Sequence, residues 1–191
     1  MRTLISMTYV YSLNAAAVKD DGTEDFAFIA SLPDDPDQEE RILSFLAGAE
    51  VYIMGRVLYQ EFAGHFQGKT AAHHPYAPIY AATDKVVFSK TLESADWERT
   101  TLNRGDLVTE VEKLKREGDG YMLVTGRSGI TRTLLHHDLI DEFRITLFPL
   151  MAGVGEPMFQ LDDVGTSKQL ELVSCDAGTN DVVVLHYRRR R

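Results

Sequence analysis

Residues 121–135 constrain the fold more than any other stretch, because they join a strand pattern to a helix pattern through a glycine-rich turn. The stretch opens with the apolar run YMLV, turns through TGRSG, and continues with apolar residues at helical spacing. Backbone N–H groups at such a turn, together with the positive end of the following helix, can bind a phosphate. Glycines also occur in such turns only to redirect the chain, so both interpretations remain open. The spacing differs from the G-x-G-x-x-G pattern of the dinucleotide-binding fold.

A second junction of the same kind follows the apolar run AEVYIM at residues 49–54. Gly55 ends this predicted strand, and apolar residues then recur at helical spacing as far as Phe66. Arg56 lies in the first turn of the predicted helix, where a guanidinium group and the helix dipole together favour a phosphate. The alternative interpretation is an exposed arginine at a tight turn.

A third predicted strand, KVVFS at residues 85–89, places Ser89 and Lys90 at its carboxyl end. Open α/β sheets bind their ligands outside the carboxyl ends of the strands. These two side chains therefore belong either to a ligand site or to an ordinary solvated surface.

The other segments alternate between strand and helix patterns. Strands are predicted at residues 3–13, 100–102, 141–148, 170–174 and 182–187, and helices from Asp37 and from Asp106 through residue 117. The short connection between the last two strands makes them an antiparallel hairpin. The order predicts an α/β protein with a mostly parallel central sheet, helices on both faces and a C-terminal antiparallel hairpin, in one domain over residues 1–191. Residues 67–82 are predicted to be an exposed loop or a poorly ordered insertion.

The composition limits the possible partners. The 191-residue chain carries a net charge of −9, which disfavours nucleic acid and anionic membranes, so an anionic ligand needs local cations. No uninterrupted apolar run forms the core of a signal peptide, and none is long enough to span a bilayer. Cys175 is the single cysteine, so an internal disulfide is excluded and a cytoplasmic location is expected.

Two groups of basic side chains need separate interpretations. His73 and His74 suggest a metal site, but no cysteine or carboxylate nearby completes a ligand set, so we predict no bound metal. Residues 188–191 are consecutive arginines, which we interpret as a short solvated tail rather than a nucleic-acid-binding arm.

Several short motifs occur in a fixed order along the chain. They are S-L-N at residues 12–14, M-G-R-V-L-Y-Q-E-F at 54–62, V-V-F-S-K-T-L at 86–92, the turn at 124–128, L-I-D-E at 139–142, and P-x-x-x-G-x-G-x-x-x-F at 149–159. Together they resemble the dihydrofolate-reductase-like family. The closest resemblance is to the reductase domain of the bacterial bifunctional riboflavin-biosynthesis deaminase/reductase and its stand-alone relatives.

The resemblance implies a three-layer dihydrofolate-reductase-like fold, NADPH as hydride donor, a small-molecule substrate and a homodimer. In the riboflavin enzyme, the ribosyl group of a phosphoribosylamino-pyrimidine is reduced to ribityl. Carried over by position, the resemblance assigns cofactor-binding roles to Gly55, Arg56, Ser89, Lys90, Gly126, Arg127 and Ser128. It implies that the first two face the cofactor phosphates, the next two lie near the adenosine 2′-phosphate, and the last three wrap the pyrophosphate. Gly153 and Gly155 would belong to a loop on the substrate side.

The chain departs from the family pattern at the motif that follows the first strand. Where the family has S-L-D-G, this chain has Asn14 in place of the acid and Ala15 in place of the glycine. An asparagine cannot act as a general acid, so Asn14 is assigned to orienting the substrate or a water molecule. The proton donor stays open among Asp20, Asp21, Glu24, Asp25 and water.

Three classes of function are therefore carried forward. The first is an NADPH-dependent reductase of a small heterocyclic or sugar-amine substrate. The second is a non-catalytic dinucleotide-binding or dimerising member of the same fold, and the third is a binding protein that uses no nucleotide.

Overall fold

A computed structural model describes residues 1–10, 12–14, 16–17, 31–126, 128–151, 156–157, 164 and 166–190. The strands are β1 (Thr3–Val10), β2 (Ala16–Ala17), β3 (Val51–Gly55), β4 (Asp84–Phe88), β5 (Thr100–Asn103), β6 (Tyr121–Thr125), β7 (Glu142–Leu147), β8 (Glu156–Pro157), β9 (Leu170–Ala177) and β10 (Val183–Arg189). The helices are α1 (Pro36–Ala47), α2 (Arg56–Phe66), α3 (Ala77–Ala82), α4 (Leu107–Arg116) and α5 (Gly129–His136).

The main sheet has eight strands in the order β5-β4-β3-β6-β1-β7-β10-β9. The strands from β5 to β7 in this order are parallel, and β10 is antiparallel to both β7 and β9. In the register, Ile5 of β1 pairs with Leu123 of β6 on one side and with Glu142 of β7 on the other. The predicted α/β fold, with its mostly parallel sheet and C-terminal antiparallel hairpin, is thus confirmed.

The core has two parts, one on each face of the sheet, because successive residues of a strand point to opposite faces. On one face, Leu4, Ile53 and Val124 pack with Val111 of α4 and Leu134 of α5. On the other face, Ile5, Tyr52 and Leu123 pack with Leu46 of α1 and Tyr59 of α2. The sheet therefore lies between two helical layers, as the three-layer prediction requires.

Side-chain caps mark where α1 and α4 begin. Asp106 accepts a hydrogen bond from Thr109 N at 3.0 Å and so caps α4, as the sequence predicts. Asp35 caps α1 in the same way, and Pro36 takes the first helical position, one residue before the predicted start at Asp37.

None of the described helices combines the length and the apolar character that a membrane span requires.

The prediction of an exposed loop or poorly ordered insertion at residues 67–82 is wrong at its C-terminal end. Residues 77–82 form α3, with Ala77 and Tyr80 buried. The buried Lys85 holds this helix, since its Nζ donates to the carbonyl of Tyr80 at 2.5 Å and to that of Thr83 at 2.8 Å. A helix of six residues is too short to show helical periodicity in the sequence, and its stability comes from packing.

The prediction of a solvated arginine tail is also wrong for its first two residues. Arg188 and Arg189 belong to β10. The side chain of Arg188 donates to the buried Glu142 at 2.8 Å, and Arg189 forms an ion pair with Asp138 at 2.9 Å. These carboxylates lie on the neighbouring strand and on the loop before it. Their contacts with the two arginines explain why the strand continues to Arg189.

Candidate functional site at the carboxyl edge of the sheet

The predicted site residues follow the ends of adjacent parallel strands. Within the sheet, β4, β3, β6 and β1 are neighbours in that order. Gly55 ends β3, Ser89 follows β4, Gly126 follows β6 and Asn14 lies in the turn after β1. Because parallel strands end at the same edge, the structure brings these four positions to one edge of the sheet.

The start of α2 has the features of an anion site. Gly55 is the N-cap residue, and it offers no side chain to accept hydrogen bonds from the first-turn N–H groups. Arg56 is exposed at the first helical position, and its Nη1 donates to Oε1 of Gln60 at 3.0 Å. The helix dipole and the guanidinium group therefore add to each other at this point.

The start of α5 lies directly against the start of α2. A β-carbon added at Gly55 would lie 3.3 Å from Cγ1 of Ile130, which belongs to the first turn of α5. The two helix N-termini consequently face the same part of the sheet edge.

The turn between β6 and α5 requires glycine at its first position. Gly126 has a φ of +80°, a left-handed conformation that side-chain-bearing residues rarely adopt, and no described residue other than its chain neighbours lies within 4 Å of where its β-carbon would be. The Oγ of Ser128 accepts a hydrogen bond from Thr131 N at 3.2 Å, so this hydroxyl caps α5. Arg127 lies outside the described residues.

The loop after β4 is tied to the end of β5. Ser89 N donates to the carbonyl of Asn103 at 3.1 Å, and Ser89 Oγ accepts from Thr91 N and Leu92 N at 3.2 and 2.9 Å. Ser89 thus shapes this loop, and the neighbouring Lys90 is exposed. A cavity of about 310 Å³ is lined by both residues together with Arg104 and Asp106.

Arg104 is a residue of this region that the sequence patterns did not single out. Its guanidinium donates to the carbonyls of Lys90, Leu92 and Glu93 at 3.3, 2.7 and 3.3 Å. Only the three-dimensional position of the loop reveals this role, because the arginine follows a weak strand with no motif around it. Arg104 therefore fixes the backbone from which Lys90 projects.

A second cavity lies on the other side of the same loop. It measures about 630 Å³ and separates Arg56 and Gln60 from residues 91–94. The loop that follows β4 thus contributes to both cavities, one lined by Lys90 and Arg104 and the other by Arg56.

Asp106 is a negatively charged helix cap within this region. Backbone and side-chain hydrogen bonds from Thr109 lower the pKa of Asp106, so the carboxylate stays ionised as the cap of α4. Although Asp106 lines the same cavity as Lys90, its oxygen serves the helix N-terminus.

Asn14 lies at the edge, but at the opposite end of this group of positions. The predicted strand at residues 3–13 ends at Val10, and residues 12–14 form a turn in which Leu13 N donates to the carbonyl of Leu150 at 2.7 Å. Asn14 is exposed beside the loop that follows β7. Gly153 and Gly155 of that loop lie outside the described residues.

Another cavity lies at the amino ends of the strands and is not part of this region. It measures about 710 Å³ and is lined by charged residues that include Arg2, Glu50, Asp84 and Arg99. These four side chains form ion pairs with each other, Arg2 with Glu50 and Arg99 with Asp84. Their charges are therefore compensated internally.

Among the residues that the structure describes, no three His, Cys, Asp or Glu side chains are grouped so that they could hold a metal ion. His73 and His74 use their ring nitrogens locally. His73 Nδ1 lies 3.0 Å from Thr70 Oγ1, and His74 Nδ1 accepts from Tyr76 N at 3.3 Å.

The family follows from a comparison with known sequences. The model of the RibD C-terminal domain matches residues 46–184, which is well over half of the chain. The chain belongs to the RibD C-terminal domain family. The matched range includes β3 to β7 and both helix N-termini of the candidate site, whereas β1 and the turn with Asn14 precede it.

Two Bacillus subtilis (strain 168) proteins are similar to this chain in sequence. YyaP, an uncharacterized protein, is 30% identical over 103 residues, which are 54% of this chain and 53% of YyaP. YwjB, also uncharacterized, is 26% identical over 117 residues, or 60% of this chain and 61% of YwjB. The matched stretches thus span little more than half of these relatives.

Solved structures show the same RibD-type fold. A putative riboflavin biosynthesis protein from Shewanella sp. PV-4 superposes over the whole of both chains with a TM-score of 0.76 at 21% identity. The deaminase/5-amino-6-(5-phosphoribosylamino)uracil reductase of Thermotoga maritima superposes with a TM-score of 0.65 at 14% identity, covering 99% of this chain and 57% of that protein. At these identities the superpositions establish the fold.

Proposed function

We propose that this RibD-family protein is an NADPH-dependent reductase of a small heterocyclic or sugar-amine substrate, in the manner of 5-amino-6-(5-phosphoribosylamino)uracil reductases. One observation carries the proposal. The N-termini of α2 and α5, the left-handed Gly126 turn and the cations Arg56 and Lys90 all lie at one edge of the sheet. Helix N-termini with arginine beside them favour phosphate groups, and a dinucleotide carries several of these.

The pyrophosphate is proposed to lie between the two helix starts. There the N–H groups of the first turn of α2 have no cap side chain to bind, and Gly126 leaves open space beside the turn. Backbone donors of this type can approach a pyrophosphate closely, because no β-carbon intervenes. Arg56 would add a charge-assisted hydrogen bond from the α2 side.

The adenosine 2′-phosphate is proposed to lie near Lys90, in the cavity between the loop after β4 and the end of β5. Arg104 keeps the loop backbone in place through its hydrogen bonds to three carbonyls. The carboxylate of Asp106, in the same cavity, accepts hydrogen bonds from Thr109 as a helix cap, and Lys90 is proposed to supply the charge that binds the phosphate.

When bound, NADPH supplies a hydride to the carbon of a substrate C=N or C=O group and leaves as NADP⁺. The substrate nitrogen or oxygen must then take up one proton. Asn14 has an amide that cannot give up this proton, so its proposed role is to orient a water molecule or the substrate carbonyl. Asp20, Asp21, Glu24 and Asp25, the acidic candidates that follow it in sequence, lie outside the described residues.

The proposal is tested by following NADPH consumption with pterins, folates and pyrimidine ribosylamines as substrates. We expect turnover with at least one class, and we expect Gly126→Ala to raise the KM for NADPH, because alanine disfavours a φ of +80°. Gly64→Ala, on the exposed side of α2, is the matched control and should leave KM unchanged. No NADPH consumption with any of these substrates would count against the reductase.

A second candidate function is a dinucleotide-binding member of the family that has lost turnover. It is favoured by Asn14, which occupies the position of the family's acid. We expect Asn14→Asp to raise turnover if the reductase is active but lacks an efficient proton donor. Tight NADPH binding by both forms, with no turnover by either, would instead support the non-catalytic function.

We further propose that the protein works as a homodimer in the cytoplasm, in line with the family resemblance, the single exposed Cys175 and the acidic net charge. Light scattering of the purified chain should give twice the mass of 21.5 kDa. A monomer at micromolar concentration would contradict the dimer.

A further inference from the structure

Thr125 is the last residue of β6 and directly precedes the Gly126 turn. Its side chain is buried, with 8% of the residue exposed, and its Oγ1 has no hydrogen-bond partner among the described residues. Only one other buried side-chain oxygen of the described part shares this condition, the Oη of Tyr52. Tyr52 lies near the amino end of β3, so Thr125 is the one at the edge where the predicted cofactor residues meet.

A buried hydroxyl without a partner is unusual, because losing the hydrogen bonds to water costs free energy that a partner normally restores. Three buried hydroxyls of the described part, those of Ser6, Thr8 and Thr83, follow that rule, whereas the Oη of Tyr52 does not. The Oγ of Ser6 and the Oγ1 of Thr8 are hydrogen-bonded to each other at 3.3 Å. The hydroxyl of Thr83 donates to the carbonyl of Ile79 at 2.8 Å. Valine would fill the space of Thr125 without that cost, so the hydroxyl is best explained by a polar group that arrives with a ligand.

The strand register gives the position of this hydroxyl along the edge. Thr125 pairs with Met7 of β1, and alternation along β6 places it on the same face as Leu123, under α1 and α2. Along this edge, in the strand order β4-β3-β6-β1, Lys90 comes first, after β4. The helix starts that follow β3 and β6 come next, and Thr125 lies between β6 and β1. Asn14 follows β1 at this end.

We propose that the Thr125 hydroxyl hydrogen-bonds the carboxamide of the bound nicotinamide ring. The inference rests on the proposed function. With the adenosine end near Lys90 and the pyrophosphate at the helix starts, the nicotinamide end of an extended dinucleotide reaches the boundary between β6 and β1. A carboxamide has both an acceptor oxygen and donor N–H groups, and a threonine hydroxyl can serve either of them. Bound in this way, the ring is held with a fixed face towards the substrate.

The test compares two nucleotides by calorimetry on the full chain. One is NADPH, and the other is 2′-phospho-ADP-ribose, which has the same phosphates but lacks the nicotinamide. Thr125→Val should weaken NADPH binding about fivefold to tenfold, as expected for one neutral hydrogen bond, and should leave 2′-phospho-ADP-ribose binding unchanged. Thr125→Ser keeps the hydroxyl and should bind NADPH within about threefold of the native protein. Thr101→Val, an exposed position in β5, is the control for a threonine-to-valine change and should affect neither nucleotide.

The possible outcomes separate this inference from the proposed function. Unchanged NADPH binding by Thr125→Val would overturn the inference while leaving the cofactor assignment intact. Equal weakening of both nucleotides would also overturn it, because Thr125 would then only shape the turn. If the native protein binds neither nucleotide, the proposed function itself fails. Should the valine variant not fold, Thr125→Ala takes its place, with the same selective loss expected.

Discussion

Gly55 and Ile130 bring the starts of two helices into contact: a β-carbon at Gly55 would lie 3.3 Å from Cγ1 of Ile130. Gly55 is the N-cap of α2, and Ile130 is the second residue of α5. The distance is shorter than ordinary van der Waals contact, so the Ile130 side chain must give by a few tenths of an ångström to admit a methyl group. The proposed pyrophosphate site lies at this contact.

Gly55→Ala is therefore expected to weaken NADPH binding about threefold to tenfold, because the added methyl group crowds Ile130 beside the first N–H groups of α5. Gly64→Ala introduces the same methyl group within α2, where no described residue lies within 4 Å of the new carbon apart from its chain neighbours and the helix backbone. That control should keep the native affinity and gain roughly 0.5–1 kcal/mol of stability from its helix propensity. Calorimetry and thermal unfolding of both variants check the prediction, and equal affinities for NADPH would contradict it.

Arg104→Ala is expected to weaken NADPH binding more than NADH binding. The loss of three hydrogen bonds to carbonyls frees the loop that carries Lys90, and Lys90 is proposed to meet the 2′-phosphate. The ratio of the NADH and NADPH dissociation constants should therefore fall, by about fivefold. Arg116→Ala, on the exposed side of α4, removes an arginine with only a weak pair to Glu112 at 4.0 Å and serves as the control. Equal weakening of both cofactors would assign Arg104 a purely structural role.

Lys85 should make stability depend on pH in the alkaline range. Its Nζ lies 4.5 Å from the centroid of the Trp97 ring, and burial lowers the pKa of Lys85 from 10.5 to about 8. Between these two values the unfolded chain binds more protons than the folded chain, so the free energy of unfolding rises with pH, by at most about 1.4 kcal/mol per pH unit. Below about pH 8 the burial penalty is present in full.

The measurement is urea unfolding of the native protein and of Lys85→Met between about pH 7 and about pH 10. The difference in unfolding free energy between the two should change across this range in favour of the native protein. For Lys113→Met, an exposed position in α4, the difference in unfolding free energy from the native protein should stay constant across this pH range. If the difference between Lys85→Met and the native protein also stays constant with pH, the pKa of Lys85 is not lowered as its burial implies.

A structural feature could be predicted from the sequence where it depends on residues close together in the chain. The cap at Asp106, the strand at residues 121–124 and the C-terminal hairpin are encoded by neighbouring residues, and the structure agrees with them. The helix α3 and the pairing of Arg188 with Glu142 depend on partners distant in sequence, and both were predicted wrongly. Local patterns carry no information about such contacts.

The candidate site shows the same division. Gly55 and Gly126 were recognisable because glycine marks a turn, and the sheet order then places both at one edge. Arg104 and Thr125 went unnoticed, since an arginine after a weak strand and a threonine at a strand end are ordinary in sequence. Only the hydrogen bonds of Arg104 and the missing partner of Thr125 distinguish them.

The account depends most directly on the binding of NADPH by the purified protein, measured by calorimetry at moderate salt alongside NADH. We predict micromolar affinity for NADPH and much weaker affinity for NADH. Arg56→Ala and Lys90→Ala should each cost roughly 1–3 kcal/mol of NADPH binding, as expected for a charge-assisted contact to a phosphate, whereas Lys113→Ala should cost nothing. No binding of either nucleotide, or full NADPH affinity in both the Arg56 and Lys90 variants, would contradict the account.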